Sequence, residues 1–335
     1  MVVQTYRGYG SAHHIFLMGR VLREPSKAPP RGQGLWYHLR MVWRLMRAWG
    51  IENARLHARF GGEETAISTD RDGYFRLDLE LAQPPSPDRL WHHVAIRLDQ
   101  PETIDVEGDV FIPRADCRFA VISDIDDTVM HTGVANKLAM MWRLFAQGAD
   151  SRTAFPGMAS FLRALHHGHS ADEANPMLYV SRAPWGIYGV LDRFFNLHDI
   201  PVGPILFLRD WGMTLQHPLP RRGKRHKTDL IRQMITHYDG LPFVLIGDSG
   251  QRDPEIYAEI VHSFPHRVLA VYIRDVSDDP KRDQAITQLA SELAANGSSL
   301  MLAADSLTMA EHAAGRGLIA ETALAEIADE MAKAA

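Results

Sequence analysis

A single cysteine, Cys117, stands in 335 residues, so no disulfide can form within the chain and a reducing compartment suits it. No run of about 18 apolar residues occurs, which argues against a membrane-crossing helix. The first ten residues are polar, aromatic and glycine-bearing, not the apolar stretch of a secretory leader. The expected location is therefore the cytoplasm, with contact at a membrane surface left open. An excess of positive charge is also missing. A net charge of -5 argues against a protein that wraps nucleic acid. There is no internal repeat and no long low-complexity tract.

What is present divides at about residue 115. Apolar residues make up 46% of the chain, enough for a substantial core in two domains. Stretches 15–22, 54–60, 75–79 and 91–98 read as strands, several with apolar residues at alternate positions. Gly73, in a turn after Asp70, suits a positive φ. Residues 24–34 read as a Pro-, Gly- and base-rich loop, and 35–49 as an amphipathic helix. Its Leu35, Leu39, Val42 and Met46 share a face opposite Arg40, Arg44 and Arg47. Such a helix suits either the sheet or an anionic membrane surface. Residues 1–115 thus predict a small β-sandwich-like accessory domain with an inserted helix. From 116 to 335 the rhythm changes. Apolar runs at 119–122, 177–180, 205–208, 243–246, 268–273 and 300–302 are mostly separated by helical stretches, among them 185–195 and 228–238. Alternation of this kind predicts a doubly wound parallel α/β domain. The tail at 320–335 reads as a terminal helix.

Four polar clusters lie at the ends of those runs or just before a helix. They are Asp124-Ile125-Asp126-Asp127-Thr128, then Ser181-Arg182, then Lys227 after Arg221, Arg222, Lys224 and Arg225, then Asp248 through Glu255. Open α/β sheets bind ligands at the carboxyl ends of their strands. The residue types answer the needs of phosphate-ester cleavage. A phosphomonoester repels anionic nucleophiles, so a carboxylate attacks only where cations neutralise both partners. Mg²⁺ held by oxygens does this. Asp124 and Asp248 are the natural side-chain ligands, with Asp126 supplying its backbone carbonyl. Lys227 is favoured over Lys224 as the fixed positive charge because it immediately precedes the helix. Thr128 and Ser181 can donate to phosphoryl oxygens, and Ser181 also has the residue type of a helix N-cap. Asp126 is placed to protonate a leaving alkoxide and then to activate water. Uncatalysed monoester hydrolysis is slow enough that acceleration can approach ~10²¹-fold, more than one catalytic pair would supply.

In this order the clusters resemble the haloacid-dehalogenase (HAD) phosphatase superfamily. Gly247-Asp248-Ser249-Gly250-Gln251-Arg252-Asp253-Pro254-Glu255 and Tyr179-Val180-Ser181-Arg182-Ala183-Pro184-Trp185 are more specific. Together with residues 124–128 they resemble the actin-patch-associated phosphatidate phosphatases, whose catalytic domain was long of unknown function. The resemblance covers about 118–319. It implies that Asp124 is the nucleophile and Asp126 the general acid/base. It further implies that Ser181 and Lys227 bind phosphate, that Asp248 binds Mg²⁺, and that Asp253 supports the metal. Thr128, Ser181 and Arg182 are the candidate substrate-binding residues, and Asp124, Asp126, Asp248 and Asp253 the candidate metal set. The implied reaction is dephosphorylation of phosphatidate to diacylglycerol. The chain lacks the long tails of the fungal members.

Residues 137–145 are apolar enough for a short helical lid, which would leave an open site suited to a bulky or surface-bound substrate. His131 and His226 read as structural or substrate-adjacent. Trp185 and Tyr188 read as pocket residues or as packing of a helix onto its sheet. A HAD-type phosphatase acting on a soluble sugar, nucleotide or protein phosphate is the alternative. A non-enzymatic phospho-acceptor or a membrane adaptor module is the second. Against the phospho-acceptor stand the i, i+2 acids directly after the first strand and the second acidic pair late in the chain; against the adaptor stands the presence of every expected catalytic residue type.

Overall fold

The computed structural model describes residues 1–23, 50–100, 103–130, 154–181, 188–207, 226–238, 240–277 and 279–334. The helix expected at 35–49, the loop at 24–34, the lid at 137–145, His131, Arg182, Trp185 and the basic residues Arg221, Arg222, Lys224 and Arg225 lie outside the described residues. So does the side chain of His226. The chain divides into two compact units, one built on Met1–Ala115 and the other on most of the chain from Asp116 onward.

The first unit is a single hydrogen-bonded network of eight strands. These are β1 (Val2–Thr5), β2 (Gly8–Gly10), β3 (His14–Leu22), β4 (Arg55–Phe60), β5 (Glu63–Ser68), β6 (Tyr74–Glu80), β7 (Trp91–Leu98) and β8 (Ile104–Phe111). Their order is β1-β3-β2-β8-β7-β4-β5, with β6 on β3. Alternation explains the core. Leu56, Ala58 and Phe60 of β4, Phe75 and Leu77 of β6, and Val94, Ile96 and Leu98 of β7 pack into one buried cluster with Ile15 and Leu17. The turn into β6 is fixed by Asp70, whose Oδ1 accepts from the backbone N–H of Asp72 and of Tyr74, each at 2.9 Å. Gly73 there has φ +81°, and a Cβ on it would come within 2.5 Å of Gly50 Cα.

The second unit holds six strands, β9 (Ala120–Asp124), β10 (Met177–Ser181), β11 (Ile205–Phe207), β12 (Phe243–Asp248), β13 (Val268–Arg274) and β14 (Ser299–Ala303). Among the described residues it has seven helices: α1 (Met158–His167), α2 (Tyr188–Leu197), α3 (His226–His237), α4 (Asp253–Ser263), α5 (Pro280–Ala294), α6 (Ser306–Gly315) and α7 (Ala323–Ala334). The sheet order is β11-β10-β9-β12-β13-β14, and the pairings from β10 through β14 are parallel. Every residue of β9, β10 and β12 is buried, which is why these strands read as continuous apolar runs. The chain passes from β9 to β10 on one side and takes up β12 on the other. That reversal sets the carboxyl ends of β9 and β12 side by side, the place where open α/β sheets bind ligands. Among the described residues no helix is long and apolar enough to cross a membrane.

Candidate active site

Asp124 and Asp248 are the last residues of neighbouring parallel strands, so both carboxylates arrive at the same edge of the sheet. After Asp124 the chain turns sharply. The Asp127 N–H donates to the Met130 carbonyl at 2.9 Å, and the Val129 N–H to that of Ile125 at 3.1 Å. Asp127 takes φ +60°, a conformation an aspartate tolerates better than most side chains. Ile125 N–H donates to Val180 O at 3.1 Å, tying this turn to the end of β10 where Ser181 sits. Ser181 Oγ then donates to Asp126 Oδ2 at 3.3 Å.

Lys227 lies within the first turn of α3, one step inside the helix and not ahead of it. Its Nζ donates to Asp124 Oδ1 at 2.5 Å and to Asp253 Oδ1 at 2.6 Å. Asp253 opens α4 and accepts from the Asp248 N–H through Oδ2 at 3.4 Å. The approach is close because residue 247 is glycine. A Cβ there would lie 2.5 Å from Asp253 Oδ2 and 2.8 Å from Tyr257 Cε2.

The electrostatics of this group are unbalanced. Asp124, Asp248, Asp253 and Lys227 are all buried, and three carboxylates face one ammonium. Burial pushes the Asp124 carboxyl well above its usual range, aided by the charges of Asp253 and Asp126 and opposed by Lys227. Burial and the Asp253 charge likewise push Asp248 up to about 7. Burial alone would lower Lys227, yet Asp124 and Asp253 hold its ammonium above the usual value. The pocket is therefore short of positive charge.

The donor set fits a hard divalent cation. One oxygen each of Asp124, Asp248 and Asp253 lie within 4.8 Å of one another. Carboxylate oxygens are the donors that a hard cation such as Mg²⁺ would take. Asp124 Oδ1 is taken by Lys227, whereas its Oδ2 is buried with no hydrogen-bond partner among the described residues. A buried carboxylate oxygen left unpaired is costly unless something positive meets it. Thr128 Oγ1 is likewise buried with no hydrogen-bond partner among the described residues.

The structure thus brings together Asp124, Asp126, Ser181, Lys227, Asp248 and Asp253. Two further residues enter that the motifs alone did not single out. Gln251 bonds both Asp248 and the Asp126 carbonyl. Arg282 of α5 holds the 249–251 loop. Gln251 lies inside the fourth motif, where its position was visible and its partners were not. Arg282 carries no signal in the sequence, since its role depends entirely on where α5 packs.

Residues 119–275 match the family model described as the catalytic domain of phosphatidate phosphatase APP1. An uncharacterized protein of Schizosaccharomyces pombe is 26% identical over 211 residues, which is 63% of this chain and 32% of that protein. Phosphatidate phosphatase APP1 of Saccharomyces cerevisiae is 30% identical over 171 residues, 50% of this chain and 28% of its own length. The chain therefore spans about a third of the curated relatives it matches. A carbohydrate acetylesterase from Xanthomonas citri aligns at TM-score 0.31 and 10% identity over 88% of this chain and 66% of its own, too slight a likeness to bear on fold or function. Residues 119–275, which contain all the acids of the site together with Ser181 and Lys227, are thus similar to the catalytic domain of phosphatidate phosphatase APP1.

Proposed function

We propose that this chain is a Mg²⁺-dependent phosphoric monoester hydrolase of the HAD type, converting phosphatidate to diacylglycerol through an aspartyl-phosphate. The observation that carries the reading is the buried triad of Asp124, Asp248 and Asp253 around Lys227, with one Asp124 oxygen unpaired. The lipid substrate rests on the family match and on the yeast relative's name. A cytoplasmic protein with transient contact at a membrane surface is the matching location.

The side chains divide the work as follows. Asp124 attacks phosphorus, forming an acyl-phosphate bond as the ester P–O bond breaks. Asp126 gives its proton to the departing lipid alkoxide, yielding diacylglycerol. Asp126 then takes a proton from water, whose oxygen attacks phosphorus, and the Asp124 carboxylate leaves with inorganic phosphate as product. Ser181, which donates to Asp126 in the resting site, turns its hydroxyl toward a phosphoryl oxygen when substrate is bound, and Thr128 supplies a second donor. Lys227 favours the ionised form of Asp124 against the effect of burial and offsets charge on the transferring group. Asp124, Asp248 and the Asp126 carbonyl would hold the magnesium, with Asp253 behind them. When bound, that ion neutralises phosphate oxygens and so lets an anion attack an anion.

The test is phosphate release by purified full-length chain from phosphatidate in mixed micelles, with Mg²⁺ or with EDTA, beside glucose 6-phosphate, a nucleoside monophosphate and a phosphopeptide. Metal-dependent release from the lipid well above the soluble esters is expected. Preference for a soluble ester would replace the substrate, and metal-independent release would remove the mechanism.

A further inference from the structure

The side chain of Gln251 joins the two loops that carry the acids. Its Nε2 donates to Asp248 Oδ2 at 2.9 Å and to the backbone carbonyl of Asp126 at 3.1 Å. Its own backbone N–H donates to the other oxygen, Asp248 Oδ1, at 2.8 Å. Both oxygens of Asp248 are thus engaged by one residue. A carboxylate offers about four lone-pair sites and a carbonyl two, so these bonds fix orientation and still leave sites open to a cation. An amide is suited to this position. It donates twice without bringing a charge that would compete with a metal ion, as a lysine or arginine would.

The loop bearing Gln251 is itself clamped. Arg282 donates from Nη2 to the Gln251 carbonyl at 2.6 Å and from Nε to the Ser249 carbonyl at 2.9 Å. The same guanidinium forks onto Glu255, with Nη2 to Oε2 at 3.1 Å. Ser249 Oγ accepts from the Val276 and Ser277 N–H groups at 2.9 and 3.1 Å and bonds Asp275 Oδ1 at 3.1 Å. Gln251 therefore stands on a braced platform.

We propose that Gln251 is a positioning residue which holds the Asp248 carboxylate and the Asp126 carbonyl as a preformed pair of metal ligands. Metal affinity then depends on it more than the chemical step does. The inference rests on the Mg²⁺-dependent reading above. Groups that orient ligands without touching the ion are typically worth about 10- to 100-fold in metal affinity.

Mn²⁺, counted as free ion by electron paramagnetic resonance, is titrated into the full chain as wild type, Gln251→Met and Gln251→Ala. Methionine keeps the length of glutamine and loses both donors; alanine guards against misfolding specific to the longer side chain. The expected result is a Kd for Mn²⁺ raised about 10- to 100-fold in both variants. The metal-free melting temperature should stay close to wild type, and kcat at saturating Mg²⁺ should fall by less than the Kd rises. Unchanged affinity overturns the proposal. So does tighter binding, which would make the amide a competitor for those oxygens. A fall in kcat at unchanged Kd overturns it as well, because Gln251 would then act on the reaction itself. Failure of the wild type to bind Mn²⁺ sinks this inference together with the metal-dependent reading, whereas a wild type that binds Mn²⁺ alongside variants that bind equally well sinks the positioning role alone.

Discussion

At Asp124 two opposing demands meet. The role proposed for Asp124 needs an ionised carboxylate, yet burial favours the neutral acid, and the Lys227 ammonium at 2.5 Å works against that. Asp124→Asn keeps the shape and removes the charge. It should abolish phosphate release from phosphatidate while circular dichroism stays native, and wild-type turnover in this variant would move the nucleophile elsewhere. A second residue-scale prediction concerns stability. His312 bonds the Tyr272 hydroxyl through Nδ1 at 3.1 Å and the Ser299 hydroxyl through Nε2 at 3.0 Å. Burial holds its pKa below the usual value. A histidine depressed in the folded state stabilises above its unfolded pKa of about 6.5, and that contribution fades as pH falls through the folded value. The stability advantage of wild type over His312→Gln in urea melts should therefore narrow between pH 7 and pH 5. An advantage that widens would reverse the sign. At this scale the acids were legible because each follows an apolar run that had to be a strand. Gln251 and Arg282 were not, because their partners come from contacts between segments as far apart as residues 126 and 251.

Elements were legible in proportion to how well their own pattern matched their burial. The parallel strands β9, β10, β12 and β13 read as unbroken apolar runs because both faces are covered. The strand β5, with Glu63, Glu64 and Thr65, gives no such signal. It lies at the end of the sheet order, and pairing with β4 places it. The strand β8 does carry the alternation, Ile104, Val106 and Val110 against Asp105, Glu107 and Asp109, with Gly108 interrupting its apolar side. Helices α4 and α5 begin at Asp-Pro steps, a start signal that is weak without knowledge of what precedes it. The same α4 yields a prediction. Gly247→Ala would drive a methyl group against Asp253 Oδ2 and Tyr257, displacing the first turn of the helix. Overpacking of this kind typically costs about 1–3 kcal/mol. The melting temperature should drop, and Mg²⁺-dependent release should fall further than stability alone explains. Full activity at wild-type stability would show that the turn can yield.

For the whole molecule, the crowding of three buried carboxylates around one lysine makes the native state a reservoir of unmet negative charge. An ion that binds only the folded form stabilises it by mass action, about 2.7 kcal/mol at a hundredfold excess over Kd. Differential scanning calorimetry should show Mg²⁺ raising the unfolding temperature of the full chain, and Asp248→Asn removing most of that rise. A metal increment that survives the substitution would place the ion elsewhere. The position of β9 in the middle of its sheet carries a further consequence, for synthesis. One flank of β9 closes with residues 177–181 and the other only with 243–248. A polypeptide leaving the ribosome amino end first therefore exposes Asp124 before Asp248 has emerged. On the mechanism proposed above, such a nascent chain would lack one of the acids that hold the ion, and hydrolysis would wait until the strand ending in Asp248 has docked.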